Sequence, residues 1–222
     1  MQKSPDHLLR QYDRLCRRYN SERNLPVIQE YLEGTGCGFF ALYYKGNCGP
    51  VFMHKRIRNF LQIGGYSTAA VSIDNEDIEK YGRLILDHLK WNGVAMVEFK
   101  LTQDGIPYFL EVNPKFWGST ELAISSGVNF PMYIVDAIIE NGVKYSKDYI
   151  LGWKYHWPFN GDISHGLIRL RNLPGVIRDC FDRKVKSNIL FFSDTRASIM
   201  IVIMGFINRL IYIFKFLGFG KR

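Results

Sequence analysis

The sequence predicts an α+β domain, an antiparallel sheet with flanking helices, followed by a basic helical extension. Three observations carry that prediction. Two strand-like runs, 94–102 and 106–113, flank Asp104-Gly105, a pair that favours a tight hairpin. Segments with the apolar period of a helix, such as "HLLRQYDRLCRRY" and "DNEDIEKYGRLILDHLKW", alternate with the strand-like runs. Finally, the charge is divided: residues 1–150 hold 17 Lys+Arg and 17 Asp+Glu, whereas residues 151–222 hold 12 Lys+Arg and four Asp. The whole excess of +8 therefore belongs to the tail. That shift near Tyr145–Leu151 divides the chain into a domain over 1–146 and an extension over 147–222. A chain of 222 residues is long enough for both.

In chain order, Ser4-Pro5-Asp6 caps a first helix whose stripe is Leu8, Leu9, Tyr12, Leu15, Cys16 and Tyr19. "LPVIQEYLEG" reads as a short apolar strand entering a Gly-rich turn. "GFFALYYKG" and "GPVFMHKRIRNF" read as a hairpin closed by "KGNCGP". "LQIGGYSTAAVS" reads as a Gly/Ser/Thr loop. "DNEDIEKYGRLILDHLKW" opens on acids, which suits the positive end of a helix dipole. After the second hairpin come helices near 119–126 and 130–141, with Pro131 in a first turn where its missing N–H costs nothing. There is no internal repeat.

A composition of 47% hydrophobic and 15% aromatic residues excludes a disordered chain. The four cysteines form no CxxC pair and no metal-ligand spacing, as expected of reduced thiols in a cytosolic protein. The first residues are charged and helical, with no apolar signal region. "GTGCG" at 34–38 leads into a strand rather than a helix, so it fails as a dinucleotide-binding loop.

The second hairpin carries the chemistry. With Gln103 facing Ile106 around a two-residue turn, Glu98 falls directly opposite Glu111, and alternation puts Asn113 and Lys100 on the same face. Two facing carboxylates repel. A divalent cation reverses that sign, since two carboxylates and an amide suit Mg²⁺, which also takes waters and phosphates. Lys115 would meet the same phosphates as a point charge. The alternative is a solvated sheet face with Glu98 and Glu111 paired to Lys100 and Lys115.

"VEFKLTQDGIPYFLEVNPKFWGSTELAISSGVNFP" resembles the C-terminal part of the ATP-grasp fold, in particular the branch like the large subunit of carbamoyl-phosphate synthase. The resemblance implies that Glu98, Glu111 and Asn113 bind Mg²⁺ (or Mn²⁺) bridging the phosphates of ATP. Lys115 replaces the family's Arg, keeping charge but losing a bidentate fork. "VIQEYLEGTG" resembles the hinge strand, which implies that Gln29, Glu30, Tyr31 and Leu32 meet the adenine edge. "HKRIRNFLQIGGYSTA" resembles the basic strand on the substrate side, where His54, Arg56 and Arg58 share a face and Arg56 is the phosphate candidate. The N-lobe is incomplete: no phosphate-facing Lys and no Gly-rich flap precede Pro26.

The resemblance therefore implies an ATP-grasp C-terminal lobe and a ligase-type activity on small molecules. A carboxylate is activated as an acyl phosphate and taken by an amine or similar nucleophile. The chain is then the C-terminal portion of a longer or split enzyme, completed by an N-lobe partner chain or a homo-oligomer. The rival from another class is a catalytically incomplete fragment, acting as a membrane-associated binding module or partner subunit. In the tail, His156, Asp162 and His165 suggest either a metal site or ordinary packing. The eleven uncharged residues from Ala197 to Ile207 fall short of the about 20 that a spanning helix needs. A helix lying on an anionic membrane surface, with Arg209, Lys215, Lys221 and Arg222 towards headgroups, competes with a helix packed on its own domain or on a partner subunit. The expected location is cytoplasmic, or peripheral to the inner face of the membrane. Nucleic-acid binding is not expected, because the charge is confined to the tail and no strand face carries stacking aromatics.

Overall fold

Thr35–Tyr44 form β1, whose side chains from Gly38 to Tyr43 are all buried; Phe39, Ala41 and Tyr43 face one way, Phe40 and Leu42 the other. Lys45 and Gly46 then take φ of 51° and 77°, and the chain returns as β2, Asn47–Asn59. Two successive positive φ values make the turn whose twist matches that of the strands it joins. The computed structural model describes residues 4–19, 25–60, 65–182, 184–187 and 194–216. They lie in two compact units, Met1–Leu32 and Glu33–Arg222.

In the first unit, Pro5–Tyr19 form α1, with the Ser4 hydroxyl accepting from the His7 N–H at 3.3 Å. Leu9, Leu15 and Tyr19 of its apolar stripe are exposed. Residues 25–33 belong to no helix or strand, which corrects the expected strand at "LPVIQEYLEG". An apolar run is a strand only when a neighbour takes its backbone hydrogen bonds, and these residues have no place in the strand order.

In the second unit, β3 (Ser67–Ser72) pairs antiparallel with β2, where a loop was expected. Thr68, Ala69 and Ala70 are buried there. Small side chains fill the centre of the sheet at this point, so turn-like composition conceals a strand. Residues 61–64 of the expected loop lie outside the described residues. α2 (Glu76–His88) starts at Asn75, whose side chain accepts from the Ile78 N–H at 2.9 Å, with Glu76, Asp77 and Glu79 in its first turn. β4 (Gly93–Leu101) and β5 (Pro107–Asn113) follow, then α3 (Thr120–Ser125) and α4 (Phe130–Ile139), the latter with Pro131 in its first turn.

The basic extension also enters the sheet. β6 (Lys154–His156) pairs with β3, and β7 (Val185–Ser187) lies parallel to β6. Between them come a π-helical turn (Pro158–Asp162), α5 (Ile163–Ile168) and α6 (Leu173–Phe181). The strand order among the described residues is β5-β4-β1-β2-β3-β6-β7. One face packs Phe40, Phe52, Met96 and Trp117 with residues of α3 and α4. The other packs Phe39, Met53, Val97 and Phe99 with Ile78 and Leu86 of α2.

α7 (Thr195–Phe216) meets its own domain at Gly205, where a Cβ would lie 2.5 Å from the Phe159 ring. Ile199, Met200 and Ile203 remain about half exposed. Among the described residues no helix is long and apolar enough to cross a membrane. Of the cations expected to face headgroups, Arg209 and Lys215 lie on this helix with side chains that are not described, and Lys221 and Arg222 lie outside the described residues.

Candidate functional site

The β4–β5 hairpin places the acids, and it does so by two departures that cancel. The turn is not the two-residue Asp104-Gly105 loop expected. The Gly105 N–H donates to Thr102 O and the Thr102 N–H to Ile106 O, both at 3.1 Å, leaving Gln103–Gly105 as a three-residue loop. Gly105 takes φ of 83°, a conformation that favours glycine in this type of loop. The change slides the pairing by one, so Phe99 faces Phe109. A bulge at Leu110 then restores the register, and Glu98 faces Glu111 directly.

The three expected ligands converge. The Asn113 amide donates to Glu111 Oε1 at 2.9 Å and to Glu98 Oε1 at 3.4 Å. From β2, across β1, Arg56 reaches Glu98 Oε2 at 2.7 Å. Glycine makes this reach feasible: a Cβ on Gly36 would fall 2.8 Å from Arg56 Cδ. Gly36 thus leaves a bare track on β1 over which the guanidinium crosses that strand to β4, whereas the space above Gly38 is taken by the Phe40 ring and His54. Valine favours strands, so Gly36→Val ought to stabilise β1 if the track were idle. The expected result is instead a loss of about 1–3 kcal/mol in urea unfolding from overpacking. Most of it should return in an Arg56→Ala background. A neutral or stabilising Gly36→Val would remove the track.

Burial raises the Glu98 carboxyl above its usual range; Arg56 opposes that shift and Glu111 adds to it. His54 lies beside them, directly opposite Gly38 and edge-on to Phe40 at 4.7 Å. Burial, and then the neighbouring Arg56 charge, pull its pKa down to about 3, so its ring is neutral. The Glu98–Lys100 and Glu111–Lys115 pairing is not formed: Arg56 holds Glu98, and neither lysine makes an ion pair among the described residues. Lys115 is exposed beyond the end of β5. Gln29, Glu30, Tyr31 and Leu32 lie in the first unit, outside any strand.

Arg58 does not share in the site. An irregularity in the β2–β3 register follows Arg56, and Arg58 is bidentate to Asp162 at 2.8 Å and also meets Asp179 at 2.7 Å. Asp162 further accepts from Thr68 at 3.0 Å and meets His156 Nδ1 at 3.1 Å. The expected His156–Asp162–His165 cluster is thus half formed, because His165 Nδ1 turns to Asn59 O at 2.6 Å. Among the described residues no three His, Cys, Asp or Glu side chains gather to hold a metal by themselves.

Sequence reasoning missed the buried Arg58 cluster and the cavity beside Arg56. It also missed the bare track at Gly36, although a glycine within a strand is a known sign of close approach.

The profile of the family described as "ATP-grasp in the biosynthetic pathway with Ter operon" matches residues 24–157. The chain belongs to the ATP-grasp family. The matched stretch of this ATP-grasp chain runs through Arg56, Glu98, Glu111 and Asn113. Among solved structures it is similar to the biotin carboxylase domain of a thermophilic 2-oxoglutarate carboxylase bound to bicarbonate, at 17% identity and a TM-score of 0.52, covering 68% of this chain and 36% of that one. It is similar also to the Hydrogenobacter thermophilus 2-oxoglutarate carboxylase biotin carboxylase domain, in complex with MgADP, ADP and bicarbonate. There the identity is 17%, the TM-score 0.52, and the coverage 67% of this chain and 35% of that one. Such identities show a shared ATP-grasp fold, and this chain spans about a third of the length of those structures. No curated protein matches it.

Proposed function

We propose that this chain supplies the metal- and phosphate-holding part of an ATP-dependent carboxylate-ligating site. The observation that carries the reading is the direct opposition of Glu98 and Glu111 with the Asn113 amide joined to both. Like charges placed opposite each other destabilise a sheet, and a cation between them turns that cost into binding. The donor set fits Mg²⁺, or Mn²⁺ with the same oxygen ligands: two carboxylates and one amide leave positions for phosphate oxygens and water. The MgADP held by a similar structure supports it.

Glu98, Glu111 and Asn113 would hold the ion, which would supply positive charge to offset that developing on the transferred group. The residues of this chain do the rest. Glu98 and Glu111 hold their charge towards the ion. The Asn113 amide turns its oxygen, rather than its nitrogen, to a cation. Arg56, once Glu98 is engaged elsewhere, has N–H groups free for the transferring phosphoryl group, and Lys115 adds a point charge. A substrate carboxylate oxygen attacks the γ-phosphorus, ADP leaves, and an amine displaces phosphate from the acyl phosphate. A partner chain or a second copy completes the enclosure.

One observation favours a second reading, a catalytically incomplete fragment that acts as a binding module or partner subunit. The Arg56–Glu98 ion pair at 2.7 Å already satisfies the site without a cation. Calorimetry of the purified full chain with ADP, with and without Mg²⁺, tests the first step. Mg²⁺-dependent binding is expected, and no heat at millimolar nucleotide would overturn the first reading and leave the second. Binding without ADP release from ATP selects the module.

A further inference from the structure

Beside the acid–amide cluster lies a cavity of about 570 Å³. Its wall is apolar and aromatic: Met96, Trp117 and Trp157 are buried, and Tyr66 stands at its rim, 56% exposed. Arg56 and Glu98 line it too, with Ser67 and Ser119 as small polar groups. A pocket of this size, with one aromatic side and one polar side, is of the kind that holds a small organic molecule with a charged end. Trp117 is fixed by Phe40, with ring centroids 4.4 Å apart, and by Phe130 at 5.4 Å, so the wall is preformed. Two cavity residues keep buried ring nitrogens without a hydrogen-bond partner, His54 Nδ1 and Trp117 Nε1.

The charges lining the cavity define the polar end of such a molecule. Arg56 is the cation on this wall, paired with Glu98 at 2.7 Å and open to another anion once Glu98 turns to a metal ion; Arg58 on the same strand is held by Asp162 and Asp179. His54 is neutral and adds no charge. We infer that the cavity is the site of the carboxylate substrate, and that this substrate is an organic acid with an aromatic or similarly bulky apolar body. Its carboxylate meets Arg56 at the edge of the acid–amide cluster, and its body lies against Trp117, Trp157 and Met96. The inference rests on the ligase reading and names its substrate class: a hydrophobic acid, in place of a small hydrophilic one.

Gly118 supplies the test. It lines the cavity, and a Cβ built there meets nothing within 4 Å, so a large side chain enters open space without disturbing the core. Binding of phenylacetate, acetate and phenylacetamide to the full chain is measured by saturation-transfer NMR and calorimetry, without nucleotide and again with Mg²⁺ and ADP. Phenylacetate is expected to bind at least about tenfold more tightly than acetate, the burial of a ring being worth that much. It should exceed phenylacetamide similarly, lose that advantage in Gly118→Leu, and bind more tightly with Mg²⁺ and ADP present, because Glu98 then releases Arg56. Circular dichroism and the thermal midpoint confirm that the variant is folded. Equal binding of phenylacetate and acetate, no binding of either, or an unchanged preference in Gly118→Leu overturns the inference. If Mg²⁺–ADP fails to bind while the aromatic acid still binds and Gly118→Leu still blocks it, the cavity stands and the nucleotide reading falls. If Mg²⁺–ADP binds and no acid is preferred, the reverse holds.

Discussion

Glu111→Gln is expected to weaken Mg²⁺-dependent nucleotide binding by about 100-fold or more, since even outer partners of metal ligands cost roughly 10–100-fold when removed. Its distinguishing mark is the accompanying stability. Glu111 faces Glu98 across the hairpin, so replacing it with a neutral isostere relieves repulsion, and the urea midpoint should stay level or rise. A fall in stability equal to the fall in binding would mean that Glu111 is structural. Glu98→Gln should weaken binding as much but cost stability as well, because Arg56 loses its carboxylate partner. The pH dependence follows from burial. The Glu98 carboxyl sits above its ordinary range, so a proton competes with the ion at pH values where an exposed Glu is already fully ionised. Metal affinity should therefore decline on acidification from above the usual carboxylate range, and that decline should be absent in Glu98→Gln.

Arg58→Met is expected to be the most destabilising single change in the domain. It leaves Asp162, 0% exposed, and Asp179, 4% exposed, without their shared cation. Breaking a buried pair in this way costs about 3–5 kcal/mol. For a domain of this size that lowers the thermal midpoint by roughly 6–20 °C in calorimetry. Burial pushes the Asp162 carboxyl up, but bonds from His156, Arg58 and Thr68 override it and hold the group below its usual range. A carboxyl depressed in the folded state contributes stability above its unfolded pKa of about 4, and loses that contribution as pH falls through the folded value. The gap between the native chain and Arg58→Met should thus narrow below about pH 4. A variant within 1 kcal/mol of the native chain would show the cluster to be dispensable.

Where one local rule decided the outcome, the sequence was readable. Asn75 ahead of three acids marks α2, Pro131 marks the first turn of α4, and the runs around Lys45-Gly46 form the hairpin expected of them. The acid pair was legible because alternation and pairing are both periodic. Misreadings arose where the outcome depends on distant partners. Ser67–Ser72 has the composition of a loop, yet its two neighbours in the sheet are supplied by residues 54–59 and 154–156. Arg58 lies two positions from Arg56 and looks equivalent to it, but its fate is set by Asp162 and Asp179, more than a hundred residues away. No local pattern announces such a partner. Likewise, nothing in "KFWGST" or "HWPFN" indicates that Trp117 and Trp157 meet around one cavity.

The bulge at Leu110 has a consequence for how this site can drift. The turn and the bulge each hold one residue more than a plain two-residue hairpin needs, and both lie between Glu98 and Glu111. Losing Leu110 would leave Phe99 facing Phe109 and Glu98 facing the same glutamate, and shortening the turn inside the Thr102–Ile106 pair would leave the strands as they are. Only a slip of the whole pairing by one, with no residue lost, would swing Glu111 and Asn113 to the opposite side of the sheet, over α2. Descendants of this chain can therefore shorten this connection by one and keep their acids together, so its length is no guide to which of them have fallen silent.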